Sequence, residues 1–236
     1  MKVLVFGGSG LVGSLVTPLM KQRHTLRVFD LRPPVDSDVE YVHGSVLDHA
    51  AVQAAAAGMD AVLYMVMGML SGPAVPYAES AFDLNVKGVF MALHAARAAG
   101  VTHAVHCSSM SVYDGDLTKH YYFDEDMTPD ARGVYGLTKR LGEEVCRNAW
   151  YQYGMSVNAM RLCLPTARDT WLATARRDEP WIATEGDDVA RAMLGALEYR
   201  NGFQAFMISG DYENKIMNMA KAKRLLGWEP LARPVQ

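Results

Sequence analysis

The chain has 236 residues, 50% of them hydrophobic and 21% charged, enough to bury a sizeable core. A net charge of −3 gives no electrostatic reason to expect nucleic acid or an anionic membrane as partner, and no apolar run approaches the roughly 20 residues that span a bilayer. Cys107, Cys146 and Cys163 are widely spaced with no Cys-x-x-Cys pair, which argues against a disulfide framework or zinc cage and for a reducing, cytoplasmic setting.

In chain order, the apolar opening Lys2–Phe6 ends at once in Gly7-Gly8-Ser9-Gly10, so it reads as a buried strand and not as a signal sequence. A helical pattern follows over Leu11–Gln22, which Pro18 should kink or shorten. Strands are predicted at Thr25–Asp30, Glu40–His43, Ala61–Tyr64, His103–Cys107, Ser156–Leu162 and Ala205–Ile208. Helices alternate with them near Ala50–Ala57, Tyr77–Ala99, Tyr135–Tyr153, Asp187–Tyr199 and Asn218–Leu226. Such alternation predicts one α/β domain over 1–236, a parallel sheet with helices on both faces. Two irregular stretches, 113–133 and 165–186, follow strands. Ligands of open α/β sheets sit outside the carboxyl ends of the strands, so these stretches are the expected substrate cap.

The loop Gly7-Gly8-Ser9-Gly10-Leu11-Val12-Gly13 lies between a strand and a helix. Glycines at 7, 10 and 13 permit a tight turn and let the helix N-terminus approach a pyrophosphate. Gly7, Gly10, Leu11, Val12 and Gly13 are therefore candidate dinucleotide contacts. Asp30 ends the second strand 20 residues after Gly10, near the spacing for a carboxylate that accepts hydrogen bonds from the adenosine ribose. It would repel a 2′-phosphate, which favours NAD over NADP. Arg32 works the other way, because it could grip that phosphate. Asp48 has two readings, a contact to the adenine amino group or the N-cap of the next helix.

Tyr135 and Lys139 lie four residues apart on one helix face. A phenol with a pKa of about 10 needs roughly 4 kcal/mol of stabilisation to act as a base near pH 7, and a neighbouring ammonium supplies favourable charge. Upstream, the strand His103–Cys107 runs into Ser108-Ser109-Met110-Ser111-Val112-Tyr113, where serines could hydrogen-bond a substrate oxygen.

The glycine loop, Asp30, Asn85, Ser-Ser-x-x-Val-Tyr and the Tyr135/Lys139 pair together resemble the extended short-chain dehydrogenase/reductase family, the NAD-dependent epimerases and dehydratases. Asp187-Asp188-Val189-Ala190-Arg191-Ala192 and Leu225-Leu226-Gly227-Trp228-Glu229-Pro230 resemble its later segments. The resemblance implies a Rossmann-type doubly wound sheet. It also implies Tyr135 as acid/base, Lys139 on the nicotinamide ribose, Ser109 as active-site serine, Asn85 as structural and relay asparagine, and a homodimer built on the two long helices.

Only about two dozen residues separate Arg161 from Asp187, which leaves a small, reduced C-terminal cap similar to that of uronate dehydrogenases. Candidate substrate contacts are Ser71, Ser109, Met110, Ser111 and Arg176. Arg168, Arg177, Trp171 and Trp181 offer further carboxylate partners and ring faces, or else a solvated loop with docked tryptophans. Met110 stands where the uronate enzymes are expected to carry a polar residue. Met65, Met67 and Met69 read as core filling or an apolar pocket wall. The seven histidines show no metal-ligand spacing, so no metal is expected. The reading is an NAD-dependent oxidoreductase acting on a small sugar-like alcohol, possibly a sugar acid. The alternatives are a nucleotide-sugar epimerase or dehydratase, and a non-enzymatic NAD-sensing regulator.

Overall fold

Strand β1 (Lys2–Phe6) shows how the core is built: Val3 and Val5 enter one apolar cluster, Leu4 and Phe6 the other. Successive strand side chains alternate sides, so an unbroken apolar run is the signature of a strand covered on both faces. The computed structural model describes residues 1–68, 72–176 and 181–234.

After β1 come α1 (Leu11–Met20), β2 (Thr25–Asp30), β3 (Glu40–His43), α2 (His49–Ala56), β4 (Ala61–Tyr64) and α3 (Ala74–Phe82). Next are α4 (Gly88–Ala98), β5 (His103–Ser109), α5 (Val134–Tyr153), β6 (Ser156–Leu162), β7 (Pro165–Thr166) and α6 (Arg168–Thr174). The chain closes with β8 (Thr184–Glu185), α7 (Gly186–Glu198), β9 (Phe203–Ile208) and α8 (Ala220–Leu226). Among the described residues, seven strands form one parallel sheet in the order β3-β2-β1-β4-β5-β6-β9. Helices α1 and α7 cover one face, and α2, α4 and α5 the other. This is the expected doubly wound arrangement. Strand order reverses between β1 and β4, and the crevice at their carboxyl ends is where such sheets take a ligand.

Three elements differ from the sequence reading. The helix expected over Tyr77–Ala99 is interrupted by a π-helical turn at Asp83–Lys87. There the buried Tyr64 hydroxyl donates to the Leu84 carbonyl (2.6 Å), a side chain inserted into the helical ladder. Helix α1 contains Pro18 and ends at Met20, two residues short of expectation. The stretch 165–186, expected to be irregular, holds α6 and the two-stranded parallel pair β7–β8. Trp171 of α6 is buried, its indole N–H donating to the Ala183 carbonyl (2.8 Å).

A charged network lies under the carboxyl end of the sheet. Arg161 of β6 donates through Nη2 to Glu143 Oε2 of α5 (2.8 Å), and through Nη1 to the Tyr113 hydroxyl (2.6 Å) and the Glu125 carbonyl (3.0 Å). Ser108 of β5 donates to Glu143 Oε1 (2.6 Å). Arg161 and Glu143 are both buried, so each charge depends on the other for compensation. The pair ties α5, β5, β6 and the 113–125 segment into one block. Glu143→Ala should therefore lower stability by about 3–5 kcal/mol in equilibrium denaturant unfolding, since it strands the guanidinium. A loss below 1 kcal/mol would show that the pair is not a structural tie.

Candidate active site

The glycine loop is held by contacts that a side chain would break. Gly7 has φ +81°, and a Cβ there would lie 2.7 Å from the Val66 nitrogen. A Cβ at Gly13 would strike the carbonyl oxygens of Gly7 and Gly8. The loop thus packs against the chain leaving β4, with the N-terminus of α1 opening onto a cavity of about 320 Å³. Gly7, Gly10, Leu11, Val12, Asp30 and Arg32 all line it. Both carboxylate oxygens of Asp30 accept backbone N–H groups, Oδ2 from Ser9 (3.1 Å) and Oδ1 from Arg32 (3.3 Å). Ser9, which the sequence reading passed over, also donates its hydroxyl to the Arg32 carbonyl (2.6 Å) and so joins the glycine loop to the end of β2. Asp48 is exposed and accepts the Ala51 N–H (3.1 Å) as N-cap of α2, and it is not part of this lining. Of its two readings the structure shows the cap.

A second cavity, about 340 Å³, shares Leu11, Val12, Met65 and Met67 with the first and continues it toward α5. Ser109, Ser111, Tyr135 and Lys139 line it. Helix α5 begins at Val134 with no side-chain N-cap on Gly133. Instead the Tyr77 hydroxyl of α3 accepts the Tyr135 N–H (3.0 Å), satisfying one of the free donors of the first turn. Gly136 lies against the Ser111 carbonyl, where any Cβ would clash, which fixes α5 to the segment after β5. One turn on, the buried Lys139 donates its Nζ to the Cys107 carbonyl (2.9 Å) and lies 5.8 Å from the centre of the Tyr135 ring.

The other predicted residues divide clearly. Ser109 is half-buried, and its Oγ accepts the Ser111 N–H (3.1 Å). Ser108 turns away to Glu143. Asn85, within the π turn, accepts the Gly68 N–H (3.1 Å) and donates to Thr138 Oγ1 (2.9 Å), tying the chain after β4 to α5. These contacts are structural. Met110 is buried in the core cluster and is among the residues that line the cavity. Arg176 donates to the Ala173 (3.2 Å) and Ala175 (3.0 Å) carbonyls at the end of α6 and is not among the described residues lining this cavity. Free carbonyls at a helix C-terminus attract a cation more readily than the sequence pattern conveyed. Arg168 pairs with Asp187 (3.8 Å) at the surface. Ser71, Met69 and Arg177 lie outside the described residues.

The sequence profile of the NAD dependent epimerase/dehydratase family matches residues 3–174. The chain belongs to that family, and NAD is its cofactor. A 3-beta-hydroxysteroid dehydrogenase of Mycolicibacterium neoaurum is 35% identical over 175 residues, 68% of this chain and 46% of the relative. A UDP-glucose 4-epimerase of Lactobacillus helveticus is 30% identical over 169 residues, 68% of this chain and 51% of the relative. The chain thus matches about half the length of these two relatives. The crystal structure of uronate dehydrogenase from Agrobacterium tumefaciens superimposes with a TM-score of 0.80 at 22% identity, covering 98% of this chain and 84% of that one, a likeness of fold.

The glycine cradle and the pinned Asp30 carboxylate fit an NAD adenosine and pyrophosphate. A 2′-phosphate set against that carboxylate should cost about 1–3 kcal/mol. Titration followed by cofactor fluorescence should accordingly give a dissociation constant for NADPH about tenfold or more above that for NADH. Equal or tighter NADPH binding would show that Arg32 outweighs Asp30.

Proposed function

We propose that this chain is, as a single domain, an NAD-dependent dehydrogenase that exchanges a compact secondary alcohol and its ketone. The observation that carries the reading is the convergence of Tyr135, Lys139 and Ser109 on one cavity continuous with the glycine-loop cleft. Gly7, Gly10, Leu11, Val12, Gly13, Asp30 and Arg32 would hold the adenosine and pyrophosphate, and Lys139 the nicotinamide ribose. Bound NAD supplies the hydride acceptor. Tyr135 takes the hydroxyl proton as general base, the adjacent ammonium favours its phenolate, and Ser109 hydrogen-bonds the reacting oxygen. Asn85 holds the wall behind them through Gly68 and Thr138.

Relatives carrying the name UDP-glucose 4-epimerase favour a second reading, in which the hydride returns to the same molecule. The short cap between Arg161 and Asp187 leaves little protein to hold a nucleotide, so the dehydrogenase reading is preferred. Three buried free cysteines accord with a reducing cytoplasmic setting. A homodimer is part of the proposal: Phe90 on α4 and Tyr151 on α5 present exposed aromatic surface on the two helices expected to pair. A monomer in sedimentation would refute it.

Tyr135→Phe should lower turnover by roughly 10²–10⁴-fold while leaving NAD affinity nearly unchanged, because the phenol hydroxyl does not hold the dinucleotide. Lys139→Ala should damage both. Near-normal turnover of the Tyr135→Phe enzyme would remove the mechanism at its centre.

A further inference from the structure

The cavity beside Tyr135 is polar at one end. Tyr135, Lys139, Ser109 and Ser111 gather where the reacting oxygen would sit. Among the described residues, Lys139 is the one cation on its wall, and its ammonium already donates to the Cys107 carbonyl. No carboxylate, amide or guanidinium of the described residues lines it. The rest of its described lining is largely apolar and includes Met67, Leu117, Leu162, Cys163, Leu164 and Pro165. Burial pushes the Cys163 thiol up to about 12, so it stays uncharged in the physiological range.

Leu164 makes the apolar character of the mouth more pointed. Its φ is +41°, in the left-handed region that a leucine adopts only when its surroundings impose it, yet its side chain is 60% exposed at the cavity edge. The Leu164 carbonyl accepts from the Thr184 N–H (3.2 Å) and from Thr166 Oγ1 (2.8 Å), so the turn is held from both sides of the small β7–β8 pair. A strained backbone thus presents an exposed apolar side chain at the entrance.

A sugar in this space would bring several hydroxyls for which the apolar wall offers no partner, and each buried hydroxyl without a partner weakens binding. A uronate would also bring a carboxylate that, among the described residues lining the cavity, has no cation but the already engaged Lys139 to meet it. From this geometry we infer that the substrate is an uncharged, largely apolar alicyclic alcohol of one or two rings bearing a single reacting oxygen, or the corresponding ketone. The inference rests on the dehydrogenase reading of the same site. In the reaction the carbinol C–H bond breaks with its electron pair passing to NAD as hydride. The O–H proton passes to Tyr135 and on to water, and the carbon–oxygen double bond forms.

The test measures binding of cyclohexanol, decahydro-2-naphthol and galacturonate to the NAD-loaded protein by calorimetry, alongside NADH formation from each. Each methylene fully buried on the apolar wall tightens binding about fourfold, so the four extra carbons of decahydro-2-naphthol set a ceiling of about 200-fold over cyclohexanol, and partial burial should still give at least about tenfold. Galacturonate should bind more weakly than either. Leu164→Asn keeps a residue tolerant of the left-handed turn, and it should weaken decahydro-2-naphthol at least fivefold without changing NADH affinity. Tighter binding of galacturonate, or no binding of either alicyclic alcohol, overturns the inference. NADH formed from galacturonate but not from the alicyclic alcohols does the same while leaving the dehydrogenase reading standing. Tight decahydro-2-naphthol binding without NADH formation upholds the apolar site and defeats the dehydrogenase reading instead.

Discussion

One hydrogen bond organises the proposed active-site end of this molecule: the buried ammonium of Lys139 donating to the Cys107 carbonyl at the carboxyl end of β5. An ammonium taken out of water needs a partner, and here the partner is backbone at the centre of the sheet. The register of α5 against β5 follows from it, and Tyr135 stands one turn earlier on the same helix face. Further contacts hold that register along the helix. Tyr77 caps its first turn, Gly136 admits the Ser111 carbonyl, Asn85 reaches Thr138, and Glu143 grips Arg161 one turn beyond Lys139. A Tyr-x-x-x-Lys pair on a free helix would have none of these constraints.

The same economy of polar groups shapes the rest of the cleft. Where the chain places a hydrogen-bonding side chain near the site, most of its capacity is already committed. Ser108 goes to Glu143, Asp30 to the N–H groups of Ser9 and Arg32, and Asn85 to Gly68 and Thr138. In the proposed reaction the reacting oxygen is left with Tyr135, Ser109 and Ser111, while most of the other described residues lining the cavity offer sulfur and aliphatic carbon. Recognition in such a space depends on apolar area and shape more than on matching hydroxyls.

Much of this was legible in the sequence because it is local. Apolar runs marked β1 through β6, the strand–glycine–helix order pointed to the loop that lines the first cavity, and a spacing of four put Tyr135 and Lys139 on one helix face. Long-range pairing was not legible. Arg161 sat inside a predicted strand, a signal that a buried charge needed a partner, yet nothing local pointed to Glu143, 18 residues away. The π turn depended on Tyr64, 20 residues upstream of Leu84. Arg176 looked free to meet a carboxylate because a sequence does not show which carbonyls a guanidinium will reach. Asp48 had two sound readings, and only the placement of α2 separated them.

The central claim is net hydride transfer at the Tyr135 end of the cavity, and a deuterium label follows it most directly. The protein is incubated with NAD and decahydro-2-naphthol deuterated at the carbinol carbon, and in parallel with NAD and UDP-glucose. The account predicts rising near-ultraviolet absorbance with the labelled alcohol, one deuterium in the reduced cofactor for each ketone formed, and no change in UDP-glucose. Flat absorbance with the labelled alcohol, together with conversion of UDP-glucose to its 4-epimer, would contradict it.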